Sequence, residues 1–139
     1  MGGLIPYLNF ENGKCDEAMN FYQQCLGGEY SAMRVKEMPK MASQMPPEMG
    51  DSVLHGELRS GRMVMYCSDL NREKQVEGNT IQLCINCDSA EELQTLFEGL
   101  SAGGEVLQPV GDMPWGALYA EARDKYGKVW MFNFQKQPM

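Results

Sequence analysis

A hairpin-forming sequence occurs twice in this chain, and the repeat restricts what the chain can fold into. Leu54 to Tyr66 reads LHGELRSGRMVMY, and Ala120 to Phe132 reads AEARDKYGKVWMF. With Gly61 set against Gly127, Met63-Val64-Met65-Tyr66 falls on Val129-Trp130-Met131-Phe132. Each copy reads as strand, tight glycine turn, strand. A second echo precedes the first: Phe21 matches Phe97, and Gly27-Gly28-Glu29 matches Gly103-Gly104-Glu105. In both copies an amphipathic run leads into the glycines and a strand-like run follows. A unit used twice in one order indicates a duplicated module. The echoes are offset by 76 and then 66 residues, and the difference falls in Lys36 to Asp51, which has no equally long counterpart.

The length, 139 residues, suits a single domain spanning 1–139, or two small half-domains sharing a core. A formal net charge of −7 argues against a nucleic-acid partner, which needs a basic face. No apolar run is long enough to span a membrane. The start, MGGLIPYLNF, has no basic segment before its short apolar part, so no export signal is expected. Pro6 stands where myristoylation needs Ser or Thr. Five cysteines, an odd number and without an export signal, are expected to be reduced in a cytoplasmic protein. Cys84 and Cys87 have CxxC spacing, but on a strand their side chains point to opposite faces, so we read them as small apolar strand residues and not as a zinc or redox pair.

Leu4 to Phe10 alternates and reads as the first strand. Cys15 to Leu26 reads as a helix ended by Gly27-Gly28, with Ala18, Met19, Phe21, Tyr22, Cys25 and Leu26 on one stripe. Glu29 to Glu37 reads as the second strand. Met38 to Asp51 holds three prolines and four methionines and reads as a loop, either a binding lid or a surface excursion. Ser52 to Arg59 and Arg62 to Asp69 are the third and fourth strands, and Leu70 to Gly78 is a polar linker. Asn79 to Cys87 is the fifth strand. A helix capped by Asp88 or Ser89 runs to about Leu100. Glu105 to Val110, Gly116 to Arg123 and Lys128 to Gln135 complete eight strands. The fold class is therefore α+β, with a first βαβββ module over 4–69 and a second over 79–135.

Each helix must cover one face of its sheet, and alternation assigns the faces. Ile81, Leu83, Ile85, Leu54, Leu58, Leu118, Ala120 and Ala122 are assigned to the helices, together with Val64, Tyr66, Trp130 and Phe132. The opposite faces then carry Tyr7, Asn9, His55, Glu57, Arg59, Met63, Met65, Gln82, Cys84, Tyr119, Glu121, Arg123, Met131 and Asn133. Tyr, His, Glu, Gln and Met together suggest the lining of a concave ligand cleft more than a plain solvated face.

These stretches carry a resemblance. PYLNF, DEAMNFYQQCLGGE, HGELRSGRMVMYCSD and PWGALYAEARDKYGKVWMFNF resemble the PhnB-like branch of the vicinal oxygen chelate superfamily, which includes glyoxalase I, extradiol dioxygenases and bleomycin-resistance proteins. The resemblance covers nearly the whole chain and implies paired βαβββ modules and a homodimer. The group has also carried a demethylubiquinone methyltransferase label. This chain has neither a glycine-rich nucleotide loop nor a doubly wound pattern, so that activity is not adopted. Metal enzymes of the superfamily place ligands on the first, fourth, fifth and eighth strands. Carried over, those positions fall near Tyr7 and on Met65, Gln82 and Met131. Thioether sulfur suits soft copper and not a hard divalent ion, so the family metal site is not expected.

His55 is the chain's one histidine, with Glu57 two residues on along the same face. The pair is an acid/base unit, a partial metal site in the cleft, or a hydrogen-bonded structural histidine on a sheet. Trp115 and Tyr119 are placed to stack on a flat ligand, or to pack at an edge. Arg59 and Arg123 are placed to receive an anion, or to pair with Glu57 and Glu121. The reading is a small-molecule binding protein without metal or other cofactor. Its ligand pocket comprises Tyr7, His55, Glu57, Met65, Gln82, Trp115, Tyr119 and Met131. The alternative is a metal-dependent lyase, isomerase or dioxygenase around His55, Glu57 and Gln82.

Overall fold

The computed structural model describes residues 3–61 and 63–136. Met1 and Gly2, and Arg62 at the expected start of the fourth strand, lie outside the described residues. The chain divides into two compact units, Met1–Val76 and Glu77–Met139. The first contains β1 (Tyr7–Asn9), α1 (Cys15–Leu26), β2 (Glu29–Arg34), α2 (Pro39–Ala42), β3 (Val53–Ser60) and β4 (Met63–Ser68). The second contains β5 (Leu83–Asn86), α3 (Ala90–Ser101), β6 (Glu105–Asp112), β7 (Ala117–Arg123) and β8 (Val129–Gln135).

Each unit is one four-stranded mixed sheet with a helix on one face. The orders are β1-β4-β3-β2 and β5-β8-β7-β6, with the first pair parallel and the other pairs antiparallel. This is the paired βαβββ pattern. In the first unit Ala18, Met19 and Tyr22 of α1 are fully buried, as are Leu58 and Cys67 of the sheet. In the second, Leu93 and Leu100 of α3 are fully buried, and Phe97 meets Phe132 edge-on at 5.7 Å. Each large apolar side chain so buried contributes roughly 1.5–3 kcal/mol. Among the described residues no helix is long and apolar enough to cross a membrane.

The helix starts use different caps. Ser89 Oγ accepts the Glu92 amide proton at 3.0 Å, and the Glu92 carboxylate accepts that of Asp88 at 2.8 Å, a local cap for α3. The start of α1 has no side-chain cap from Lys14. Instead Asp69 accepts the Cys15 amide proton at 2.9 Å through Oδ1 and the Val53 amide proton at 2.8 Å through Oδ2. One carboxylate thus ties the helix start to β3.

The repeated Gly-Gly-Glu has a shared physical cause. A Cβ at Gly28 would lie 2.0 Å from the Arg59 carbonyl oxygen, and one at Gly104 would lie 2.1 Å from that of Arg123. Only glycine lets the chain leaving each helix pass so close to the neighbouring strand.

The two hairpins differ by one residue. Ser60 pairs with Met63, leaving two residues between them. In the second unit the Asp124 amide donates to the Lys128 carbonyl, leaving three. Setting Gly61 against Gly127 therefore slides the fourth strand by one position, and a one-residue slip moves every side chain to the other face. Leu58 pairs with Met65, and Glu57 pairs with Tyr66. Met65 is thus a core residue, 1% exposed, and Val64 and Tyr66 share the face of Glu57. This corrects the assignment of Met63 and Met65 to the open face. In the second unit Trp130 and Phe132 face α3, and Met131 and Asn133 face away, as expected from alternation.

Two further expectations are corrected. Met38 to Asp51 is not structureless: it forms α2 and a 3-10 turn at Pro47–Met49, each with proline in its first turn, where the missing N–H costs nothing. The fifth strand is only Leu83–Asn86, because pairing with β8 covers those four residues alone. Gln82 precedes it, and Ile81 is 85% exposed instead of facing the helix.

Candidate functional site

On the sheet face opposite α1, Tyr7, Tyr66, Glu57 and Ser31 form one row across β1, β4, β3 and β2. Parallel pairing sets Tyr7 beside Tyr66, and the β3–β4 register sets Glu57 on the other side of Tyr66. His55 is two residues along β3 from Glu57, so it shares that face and stands opposite Met33 of β2. The Tyr7 hydroxyl and His55 Nδ1 are 3.3 Å apart. The phenol donates when Nδ1 carries no proton. Burial is the main influence raising the Tyr7 phenol above its ordinary value of 10.0, which favours the donor form. The His55 and Tyr66 rings meet at 4.8 Å and 65°, and Tyr7 meets Tyr66 edge-on at 6.2 Å. Three rings thus pack edge to face on an exposed sheet.

Beside them lies an open pocket of about 400 Å³, lined by Ser31, Met33, Glu37, Met38, His55 and Glu57 among others. Glu57 is ion-paired with Arg59, Oε2 to Nε at 2.7 Å. Met33 and Met38 are 47% and 42% exposed. Arg34 is held behind the sheet: Nη1 and Nη2 donate to the two Asp16 oxygens at 2.7 and 3.1 Å, and Tyr30 donates to Asp16 at 2.8 Å. The guanidinium is the main cause of the lowered Asp16 pKa.

The second unit repeats the row with other chemistry. Cys84, Met131, Glu121 and Gln108 lie across β5, β8, β7 and β6. Tyr119 shares that face and donates to Glu121 at 3.1 Å. Burial first, then this bond, pushes the Tyr119 phenol up to about 12. Trp115, in the turn before β7, meets the Tyr119 ring edge-on at 5.8 Å.

Of the residues singled out in the sequence, Tyr7, His55 and Glu57 share one face of the first sheet. Tyr119 and Met131 share one face of the second, with Trp115 against Tyr119. Met65 lies in the core of the first unit, and Gln82 lies outside any strand. Tyr66 takes the fourth-strand place on the open face. It was missed because the glycine alignment hid the shorter turn; comparing the residues enclosed by each hairpin would have found it. Met33 and Glu37 were missed because their place beside His55 depends on the β2–β3 register.

The family metal site does not fit these donors. In the first sheet the first- and fourth-strand positions hold the phenols Tyr7 and Tyr66. In the second sheet Gln82, the fifth-strand position expected from the resemblance, lies before the strand, and the residue paired with Met131 is Cys84, so a thiol and a thioether stand there. Hard ions favour carboxylate and carbonyl oxygen over phenol and thioether, and a lone thiol falls short of the three or four ligands a zinc site needs. Among the described residues no group of three or more His, Cys, Asp or Glu side chains is placed to hold a metal ion.

Residues 3–132 match the family described as 3-demethylubiquinone-9 3-methyltransferase. The crystal structure of protein PA1353 from Pseudomonas aeruginosa is 29% identical with a TM-score of 0.78, covering 97% of this chain and 100% of that one. A Bacillus cereus structure, provisionally described as a 3-demethylubiquinone-9 3-methyltransferase, PhnB protein, is 27% identical with a TM-score of 0.74, covering 96% and 99%. A glyoxalase/bleomycin resistance protein/dioxygenase from Nocardioides shares the fold at 18% identity and a TM-score of 0.59, covering 99% and 86%.

Proposed function

From the premise that the chain belongs to the family described as 3-demethylubiquinone-9 3-methyltransferase, the PhnB-like branch of the glyoxalase/bleomycin-resistance/dioxygenase superfamily, we propose that it is a small-molecule binding protein that works without metal. The open face of the first sheet takes the ligand. The observation that carries this reading is the pocket of about 400 Å³ beside His55. That volume lies within the range of small-molecule sites. Its walls combine thioethers with a few convergent polar groups, the usual make-up of such a site. Tyr7 orients the imidazole, Met33 and Met38 supply adaptable apolar wall, and Glu57 supplies charge.

The methyltransferase label of the family and of the Bacillus cereus protein is not carried to this chain. Its sequence has no glycine-rich nucleotide loop, and a fold shared with many chemistries does not assign one. We also infer a homodimer, as the family resemblance implies. Val106 and Leu107 on the edge strand β6, 49% and 37% exposed, support that reading. Light scattering at twice the 15.6 kDa chain mass is the expected result.

The test is elemental analysis of protein purified without chelator or metal-affinity tag, beside a His55→Ala variant. Substoichiometric zinc, nickel, iron and manganese in both is expected. About one equivalent of such an ion, lost in the variant, would replace this reading with a metal enzyme centred on His55.

A further inference from the structure

We propose that the pocket beside His55 selects small organic cations over neutral or anionic ligands of the same shape. This rests on the binding reading above and names the ligand class. The charge of the lining carries it. Glu57 and Glu37, whose carboxylate also accepts the Arg34 amide proton, line the pocket, and no lysine or arginine does. Of the basic side chains nearest in sequence, Lys40 does not line the pocket and three others are ion-paired. Arg34 is bound by Asp16 at 2.7 Å, Lys36 by Asp51 at 2.7 Å, and Arg59 by Glu57 at 2.7 Å. An anion entering here would meet carboxylates with no lysine or arginine on the lining to receive it, and like charges at close range cost binding energy.

Among the described residues, the basic group ion-paired with a lining residue is the Arg59 guanidinium, whose side chain is 63% exposed. Ion pairs with an exposed partner are weak and screened by solvent, so a ligand cation can replace it beside Glu57 at little cost. Lining chemistry then separates an organic cation from a hard metal ion. Met33 and Met38 offer polarisable thioether surface, and His55 presents a ring packed against Tyr66. Such surfaces suit the weakly hydrated face of an alkylammonium through dispersion. A hard ion needs several charged oxygens, and no such cluster is present among the described residues. The net charge of −7 draws cations toward the chain in general.

Three probes of one shape test this: choline, 3,3-dimethylbutan-1-ol and 3,3-dimethylbutanoate, carrying positive, no and negative charge. Each is titrated into nitrogen-15-labelled protein and followed by amide shifts. Choline is expected to move the amides of residues 31–38 and 55–57, with Kd on the order of tenfold below that of the alcohol, as a partly desolvated cation contact supplies. Butanoate is expected to move none of them. Glu57→Gln, folded by its amide spectrum, is expected to erase the preference.

Equal affinity for the alcohol, or binding of butanoate at these amides, overturns the cation inference and leaves the binding reading standing. So does a choline response that is spread over the acidic surface or unchanged in Glu57→Gln. If no probe moves these amides, and uncharged aromatic probes also fail there, the binding reading falls with it.

Discussion

The Tyr7 hydroxyl stands 3.3 Å from His55 Nδ1, joining β1 to β3 across the strand between them. Both residues are exposed, Tyr7 to 47%. A hydrogen bond in such a place adds little to folding, about 0.5–1.5 kcal/mol at most. It holds the ring of the chain's one histidine at the edge of a pocket. Tyr7→Phe and His55→Ala are therefore expected to unfold in urea within about 1 kcal/mol of the parent. Each should weaken choline binding several-fold. A large stability loss with unchanged binding would make the pair structural.

Met65→Ala and Tyr66→Ala should behave in opposite ways. Met65 is 1% exposed and paired with Leu58 in the core, so its truncation is expected to cost about 2–5 kcal/mol in urea unfolding. Choline affinity of the folded fraction should be unchanged. Tyr66 is half-buried on the open face, against His55. Its truncation is expected to cost less stability and to weaken binding. The reverse pattern would restore the register implied by aligning the two hairpin glycines.

These two adjacent residues mark the limit of what the sequence conveys. The paired modules were readable because apolar stripes and glycine turns recur in one order, and Cys15–Leu26 was readable as a helix from its stripe and the glycines that end it. The faces of β7 and β8 followed from alternation alone. Tyr66 did not, because facing depends on parity and one hairpin encloses one residue fewer. Asp69 was passed over for a different reason: its partners Cys15 and Val53 are 54 and 16 residues away, and no local pattern encodes that. The place of Met33 opposite His55 likewise depends on pairing between strands separated by a long connection.

Asp69→Ala should be among the most damaging single changes in the first unit. It removes both bonds that tie α1 to β3. Hydrogen bonds to a charged group contribute about 1.5–3 kcal/mol each, so a loss of about 3–5 kcal/mol is expected in urea unfolding. Asp69→Asn keeps one acceptor oxygen and should fall between. A loss under about 1 kcal/mol for the alanine variant would show the tie to be dispensable.

Acid should weaken the first unit through Asp16. Its folded pKa lies below the ordinary 3.8, chiefly because of Arg34. A carboxylate lowered by folding stabilises the native state fully above its unfolded value, and that contribution is lost as pH falls through the folded value. Asp16→Asn should thus be less stable than the parent at pH 7. The difference is expected to be about 1 kcal/mol, because the pair is partly exposed and screened. The gap should close as pH drops below 3.8. A gap that persists unchanged at pH 2 would contradict the Arg34–Asp16 assignment.

The measurement that tests the central claim most directly is amide mapping in excess EDTA. Benzylamine, phenol, imidazole and benzoate are titrated separately into labelled parent and His55→Ala protein. The account predicts that at least one probe shifts the amides of residues 31–38 and 55–57 in the parent with no metal added, and that the response disappears in the variant. Probe binding that appears only after a divalent ion is restored, or that maps elsewhere and survives His55→Ala, would contradict a metal-independent binding site on the first sheet.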